Sequence, residues 1–198
     1  SGTYVENVEI RQPISLMGND TGSGLPIVNP GTFGINTGIN LSADNITLDG
    51  FVVRETRDAV YVKGWNATLM NITATQNHYG ITMDMTQGHH ITGATIWNNT
   101  YDGITGISIT NSTIEACNIT GNAGFGIHLN SWSNHNTITG NTITGNSDWG
   151  IFLQESFNNT LSKNTLASNY YGISLEISDL NTVNQNNVSN STWEGIFL

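Results

Sequence analysis

The chain has 198 residues, 15 acidic against 5 basic, a formal net charge of −10 and one cysteine. This balance excludes a phosphate-backbone binder, which needs clustered Lys and Arg. A single thiol excludes a disulfide framework and a cysteine-based zinc site, and no apolar run reaches the ~18 residues of a membrane span.

Asn (28 residues) and Thr (26) dominate the composition, and only 10% of residues are charged. Abundant Ile, Val and Thr with few charges favour strands over disorder. The opening residues 2–10, "GTYVENVEI", and residues 14–18, "ISLMG", read as strand segments. Further on, a Gly-Ile pair keeps returning: Gly80-Ile81, Gly103-Ile104, Gly126-Ile127, Gly150-Ile151, Gly172-Ile173 and Gly195-Ile196, spaced by 23, 23, 24, 22 and 23 residues. Ala59-Val60 continues the series 21 residues earlier, and Gly34-Ile35 another 25 before that. About eight repeats therefore fill residues 1–198 as one domain, with no linker.

Within a repeat the apolar residues alternate. "GIFL" places Ile151 and Leu153 on one face and Phe152 on the other, and Asn, Gly and Ser break the run before Ile138 and before Ile143. Each repeat is read as about three short strands joined by bends. Such strands cannot bury a core alone, but stacked coils share one. Neither the leucine-rich phrase nor the calcium nonapeptide is present, which leaves an all-β, right-handed parallel β-helix with coils about 4.8 Å apart.

The asparagines then fall into columns: Asn136, Asn159 and Asn181; Asn141, Asn164 and Asn186; Asn122, Asn146 and Asn169. Amides stacked one coil apart can hydrogen-bond along the stack, and Asn tolerates the left-handed backbone of sharp bends. Cys117 falls in the middle column and reads as a buried filler.

The opening phrases at residues 2–18 and the later "NxIxxNxxxGIxL" units resemble the NosD-type, carbohydrate-binding and sugar-hydrolase-like β-helix proteins of archaea and bacteria. The resemblance covers nearly the whole chain. It implies the fold and a secreted or cell-surface setting, and it leaves function open, because the same coil serves pectinases, epimerases, adhesins and copper-pathway proteins. Members of the group often carry an amphipathic cap before the "GTY" phrase; none precedes it here, and residues 195–198 end on apolar "GIFL". End-to-end stacking of subunits into filaments is one expectation from these ends; flanking caps outside residues 1–198 are the other. Eleven Asn-x-Ser/Thr sites (Asn19, Asn40, Asn45, Asn66, Asn71, Asn98, Asn111, Asn118, Asn158, Asn187 and Asn190) are candidates for glycosylation.

Chemistry is concentrated just before the Gly-Ile pairs. There stand Arg57-Asp58, His78-Tyr79, Tyr101-Asp102, Gly124-Phe125, Asp148-Trp149, Tyr170-Tyr171 and Trp193-Glu194. Six of the seven pairs hold an aromatic residue and four hold an acid. Aligned on coils they form a stripe with Tyr79, Tyr101, Asp102, Phe125, Asp148, Trp149, Tyr171 and Trp193 as candidate glycan contacts. Stacked rings at a bend also stabilise the bend by packing alone. If the stripe is catalytic, Asp58 and Asp102, two coils and about 9 to 10 Å apart, are near the upper limit for an inverting carboxylate pair. His78 or Arg57 would then be the base. His89, His90 and His135 do not converge with a further ligand, so no metal and no cofactor are expected. Two readings stay open: a surface scaffold, sheath, filament or adhesion module without enzymatic activity, and a polysaccharide-active enzyme (lyase or hydrolase) or glycan-binding module.

Overall fold

The computed structural model describes residues 2–31 and 33–198. Among these the strands gather into three parallel sheets of nine, nine and eight strands, and no helix occurs. The chain visits the sheets in rotation. The first coil places Thr3–Tyr4 in the first sheet, Val8–Ile10 in the second and Ser15–Met17 in the third. Every strand then pairs with its counterpart one coil on, as in Ile81 with Ile104 and Ile104 with Ile127.

Register fixes the core, because a one-residue slip would turn every apolar side chain outward. Ile96, Ile119 and Ile143 stack inside the first sheet, Ile91, Ile114 and Ile138 inside the third, all at most 1% exposed. The second sheet buries two columns, one through Ile81, Ile104, Ile127 and Ile151, the other through Met83, Leu129 and Leu153. The second column is interrupted by Gly106, and Ile109 from the following bend fills the gap: a Cβ on Gly106 would lie 2.7 Å from Ile109 Cδ1.

The bends are held by side-chain ladders. Asn122 Nδ2 and backbone N both donate to Asn146 Oδ1 at 3.0 Å, and Asn146 repeats this on Asn169 at 2.9 and 3.0 Å. Upstream the same column runs through Thr56, Asn77 and Asn99, which the sequence reading left out. A second column joins Cys117, Asn141, Asn164 and Asn186, and a third joins Ser112, Asn136, Asn159 and Asn181. A serine column, Ser133, Ser156 and Ser178, does the same at the remaining corner.

Two details differ from the sequence reading. The left-handed residues are not the ladder asparagines but those immediately before them: His135, Gly140, Lys163 and Ser168 have φ of 58°, 65°, 57° and 57°. The ladder amide is instead turned inward to tie coils together. The Gly-Ile phrase of the early repeat is Gly38-Ile39, with Ile39 opposite Val60; Gly34-Ile35 lies in the preceding turn, with Ile35 71% exposed.

Candidate functional site

The second sheet presents its outer face as columns, one coil per step. One column reads Asn40, Tyr61, Thr82, Thr105, His128 and Phe152, then Ser174 and Phe197. The small residues make the relief. Thr82 and Thr105, between Tyr61 and His128, floor a recess of about 550 Å³; Ser174, between Phe152 and Phe197, lies in a second of about 320 Å³.

Along one edge of both recesses runs the column just before the glycines, in which Asp58 is opposite Tyr79 and Trp149 opposite Tyr171. Asp58, Tyr79, Asp102 and Phe125 therefore edge the first recess, and Trp149, Tyr171 and Glu194 the second. Tyr101 reaches the first recess and Trp193 the second from the neighbouring position, 50% and 67% exposed. Between the recesses stands a wall of rings. His128 and Phe152 stack at 5.2 Å, Trp149 and Phe152 at 5.0 Å, and Trp149 and Tyr171 at 4.4 Å. Ring pairs of this kind add about 0.5–1.5 kcal/mol each beyond the area they bury.

The two buried carboxylates are locked in place. Asp58 accepts from Thr82 Oγ1 at 2.7 Å, Arg57 Nε at 2.7 Å and Thr37 Oγ1 at 3.3 Å. The Asp58 carboxylate, through its hydrogen bond and then its charge, pushes the Arg57 guanidinium further up. Asp102 accepts from Thr105 Oγ1 at 2.9 Å and Phe125 N at 3.1 Å, and lies 3.6 Å from His128 Nδ1. Asn130 Nδ2 lies 3.3 Å from the other ring nitrogen of His128. An acceptor Nε2 there puts the ring proton on Nδ1, facing Asp102. Burial, and then the charge of Asp102, raise the Asp148 carboxyl above its ordinary value. Tyr79 is raised in the same way, by burial first and Asp102 second. Two buried polar atoms on this face, Asn130 Oδ1 and Trp149 Nε1, have no hydrogen-bond partner within the protein.

Of the alternative catalytic set, Asp58, Asp102 and Arg57 line one recess, two coils apart as the register requires. His78 does not join them. Its ring packs edge-on against Phe33 at 4.7 Å and Tyr101 at 5.4 Å, and it does not line the recess. The imidazole that does meet Asp102 is His128, which the sequence reading did not name. Its signal was the register: it shares a column with Thr82 and Thr105. His89 is buried inside the third ladder, with Nδ1 accepting from Ala67 N at 3.2 Å and burial lowering its pKa to about 4. His90 pairs with Glu115 at 2.8 Å on another sheet. Burial drives the Cys117 thiol up to about 11. Among the described residues, no group of three or more His, Cys, Asp or Glu is placed to hold a metal ion, and no helix is long and apolar enough to cross a membrane. Ten of the eleven candidate glycosylation asparagines are exposed, and Asn40, on the second sheet, is half-buried.

The family model for the right-handed β-helix region matches residues 28–151 and 58–198. Among solved structures, the periplasmic alginate epimerase AlgG superposes with a TM-score of 0.65 at 18% identity, over 87% of this chain and 52% of that one. The Dettilon tailspike protein gives 0.69 at 13% identity, over 87% and 44%. The A-module of a mannuronan C-5 epimerase from Azotobacter vinelandii gives 0.56 at 12% identity, over 96% and 83%. At these identities the likeness is one of fold, and the chain spans about half the length of the alginate epimerase or the tailspike. No curated protein matches the chain in sequence.

Proposed function

The chain belongs to the right-handed β-helix family, and from that premise we propose that it is a carbohydrate-recognising solenoid, acting outside the cytoplasm, that holds a polysaccharide along the outer face of its second sheet. The observation that carries this reading is the pair of recesses, which set rings, carboxylates and hydroxyls side by side along one edge. Sugars present apolar ring faces to aromatics and hydroxyl donors to acceptors, so each recess offers both halves of what a pyranose or furanose needs. The similarity to epimerases and a tailspike supports this over a sheath, filament or adhesion scaffold. A periplasmic relative and a tailspike also favour an extracytoplasmic setting.

Affinity electrophoresis in gels containing a panel of polysaccharides tests the reading. Retention that falls at least tenfold in Trp149→Ala and in Tyr101→Ala, with the circular dichroism of the sheets kept, supports it. No retention by the unmodified protein on any polymer overturns it.

A second reading, that the face cleaves the chain it holds, rests on one observation: the raised Asp148 carboxyl stands close enough to Asp102 to feel its charge. A pair of neighbouring carboxyl groups is what general acid–base hydrolysis of a glycoside requires. A reducing-sugar assay on the retained polymer, with Asp148→Asn as control, decides it: product formed by the unmodified protein and lost in the variant supports cleavage, and no product excludes it.

A further inference from the structure

Resting on the carbohydrate reading above, we propose that this face takes neutral polysaccharide and rejects polyuronates. The charges along it are nearly all negative. Asp58 and Asp102 wall the first recess, Glu176 and Glu194 line the second, and Asp148 stands beside Trp149 between them. The basic side chains are few and committed. Arg57 Nε is bound to Asp58 at 2.7 Å, and His128 Nδ1 faces Asp102 at 3.6 Å. Lys63 sits beyond the first recess, over the ring of Tyr61 at 5.2 Å. The second recess has no Lys, Arg or His among its lining residues.

The hydrogen-bonding capacity points the same way. An ionised carboxylate accepts and cannot donate, and Asn130 Oδ1, the unpartnered amide oxygen of the first recess, is also an acceptor. These acceptors call for hydroxyl donors, and a hydroxyl oxygen can also accept from Trp149 Nε1, the unpartnered donor of the face. A neutral hexose unit within a polymer supplies several, among them the primary hydroxyl. A uronate replaces one of them with an acceptor-only anion and brings it among like charges, close to aromatic walls that exclude water and weaken screening. Like-charge juxtaposition at a recognition surface suppresses the wrong partner more than it weakens the right one. The net charge of −10 adds a longer-range repulsion of any polyanion.

The test uses matched polymers. Glucan, mannan, galactan, polymannuronate and polygalacturonate are screened by affinity electrophoresis with the whole chain, in chelator and again in calcium. A retained neutral polymer is oxidised at its primary hydroxyl to the corresponding uronate, and a retained uronate is carboxyl-reduced, so that each comparison changes that one group and leaves the backbone linkage the same. The expected result is retention at least tenfold stronger for the neutral member, with a gap that narrows as salt rises and in the double variant Glu176→Gln, Glu194→Gln. Uronate retained as well as or better than its neutral partner, in either buffer, overturns the charge selectivity while leaving the carbohydrate reading in place. Absence of retention on every polymer overturns both.

Discussion

Asn164→Asp tests whether the amide ladders hold the coils together. Asn164 Oδ1 accepts from Asn141 N at 3.0 Å and Asn141 Nδ2 at 2.9 Å, while its own Nδ2 donates to Asn186 Oδ1 and Ile138 O, both at 2.9 Å. Aspartate keeps the accepting half and loses the donating half. Two acceptors then face a carboxylate oxygen in a site that is 1% exposed. A buried polar group left without its partner costs about 1–3 kcal/mol, so the two together cost about 2–6 kcal/mol at neutral pH. For a chain of this size each kcal/mol moves the melting temperature by about 2–4 °C, which predicts a fall of about 8–16 °C for a mid-range cost. Protonation restores one donor. Burial among acceptors raises the folded pKa of the new carboxyl above its unfolded value of about 3.9. The variant is therefore most stable below that value and loses stability as pH rises through the folded one. Melting measured against the unmodified chain at pH 3 and pH 7, with Asn187→Asp on an exposed strand position as control, should show a deficit at pH 7 roughly twice that at pH 3. No deficit at either pH, or equal deficits at both, refutes the ladder argument.

Three further outcomes are expected. His89 is held neutral inside the third ladder at a folded pKa of about 4 against about 6.5 unfolded, so its contribution is present above pH 6.5 and is lost as pH falls toward 4; the loss approaches 3 kcal/mol, and a urea midpoint whose pH slope over that window is unchanged in His89→Gln would contradict it. Thr105→Trp fills the first recess from its floor and should abolish polysaccharide retention; it also removes the hydroxyl that donates to the buried Asp102, at a cost of about 1–3 kcal/mol or about 2–12 °C in melting temperature, so retention is read well below the melt; full retention would place the ligand elsewhere. Gly106→Ala forces a Cβ to 2.7 Å from Ile109 Cδ1 and Leu129 Cδ2 and should cost about 1–3 kcal/mol by overpacking, with Ile109→Val recovering part of the loss in a double-mutant melt.

The fold was legible because its determinants repeat. Every coil places the same kind of side chain at the same bend, so the 23-residue spacing of the Gly-Ile pairs carries strand positions, core columns and ladder columns at once. What escaped was whatever departed from identity. Asn77 and Asn99 belong to the longest ladder, but their flanking residues ("TQNHYG", "WNNTYDG") lack the "TGN" phrase that marks Asn122 and Asn146. The serine corner was missed because serine is common enough to hide a column of three. The Gly34-Ile35 misregister arose because the turn just before Gly38-Ile39 carries a chance Gly-Ile pair.

The site was harder to read for a physical reason. A solenoid's interior has to be periodic, because each coil packs on the last. Its outer face has no such requirement, so a recess forms wherever a small residue interrupts a column of large ones. Thr82, Thr105 and Ser174 are unremarkable as residues; they become floors only because Tyr61, His128, Phe152 and Phe197 stand one coil to either side. Searching for chemistry at the repeated phrase before each glycine led to residues that line the recesses, Asp58, Asp102, Trp149 and Trp193. It grouped with them His78, which does not line the recess, and left out His128, which does and lies two positions past its glycine. In a repeat fold the period identifies what supports the structure, and the column in which the period fails is the place to look for a ligand.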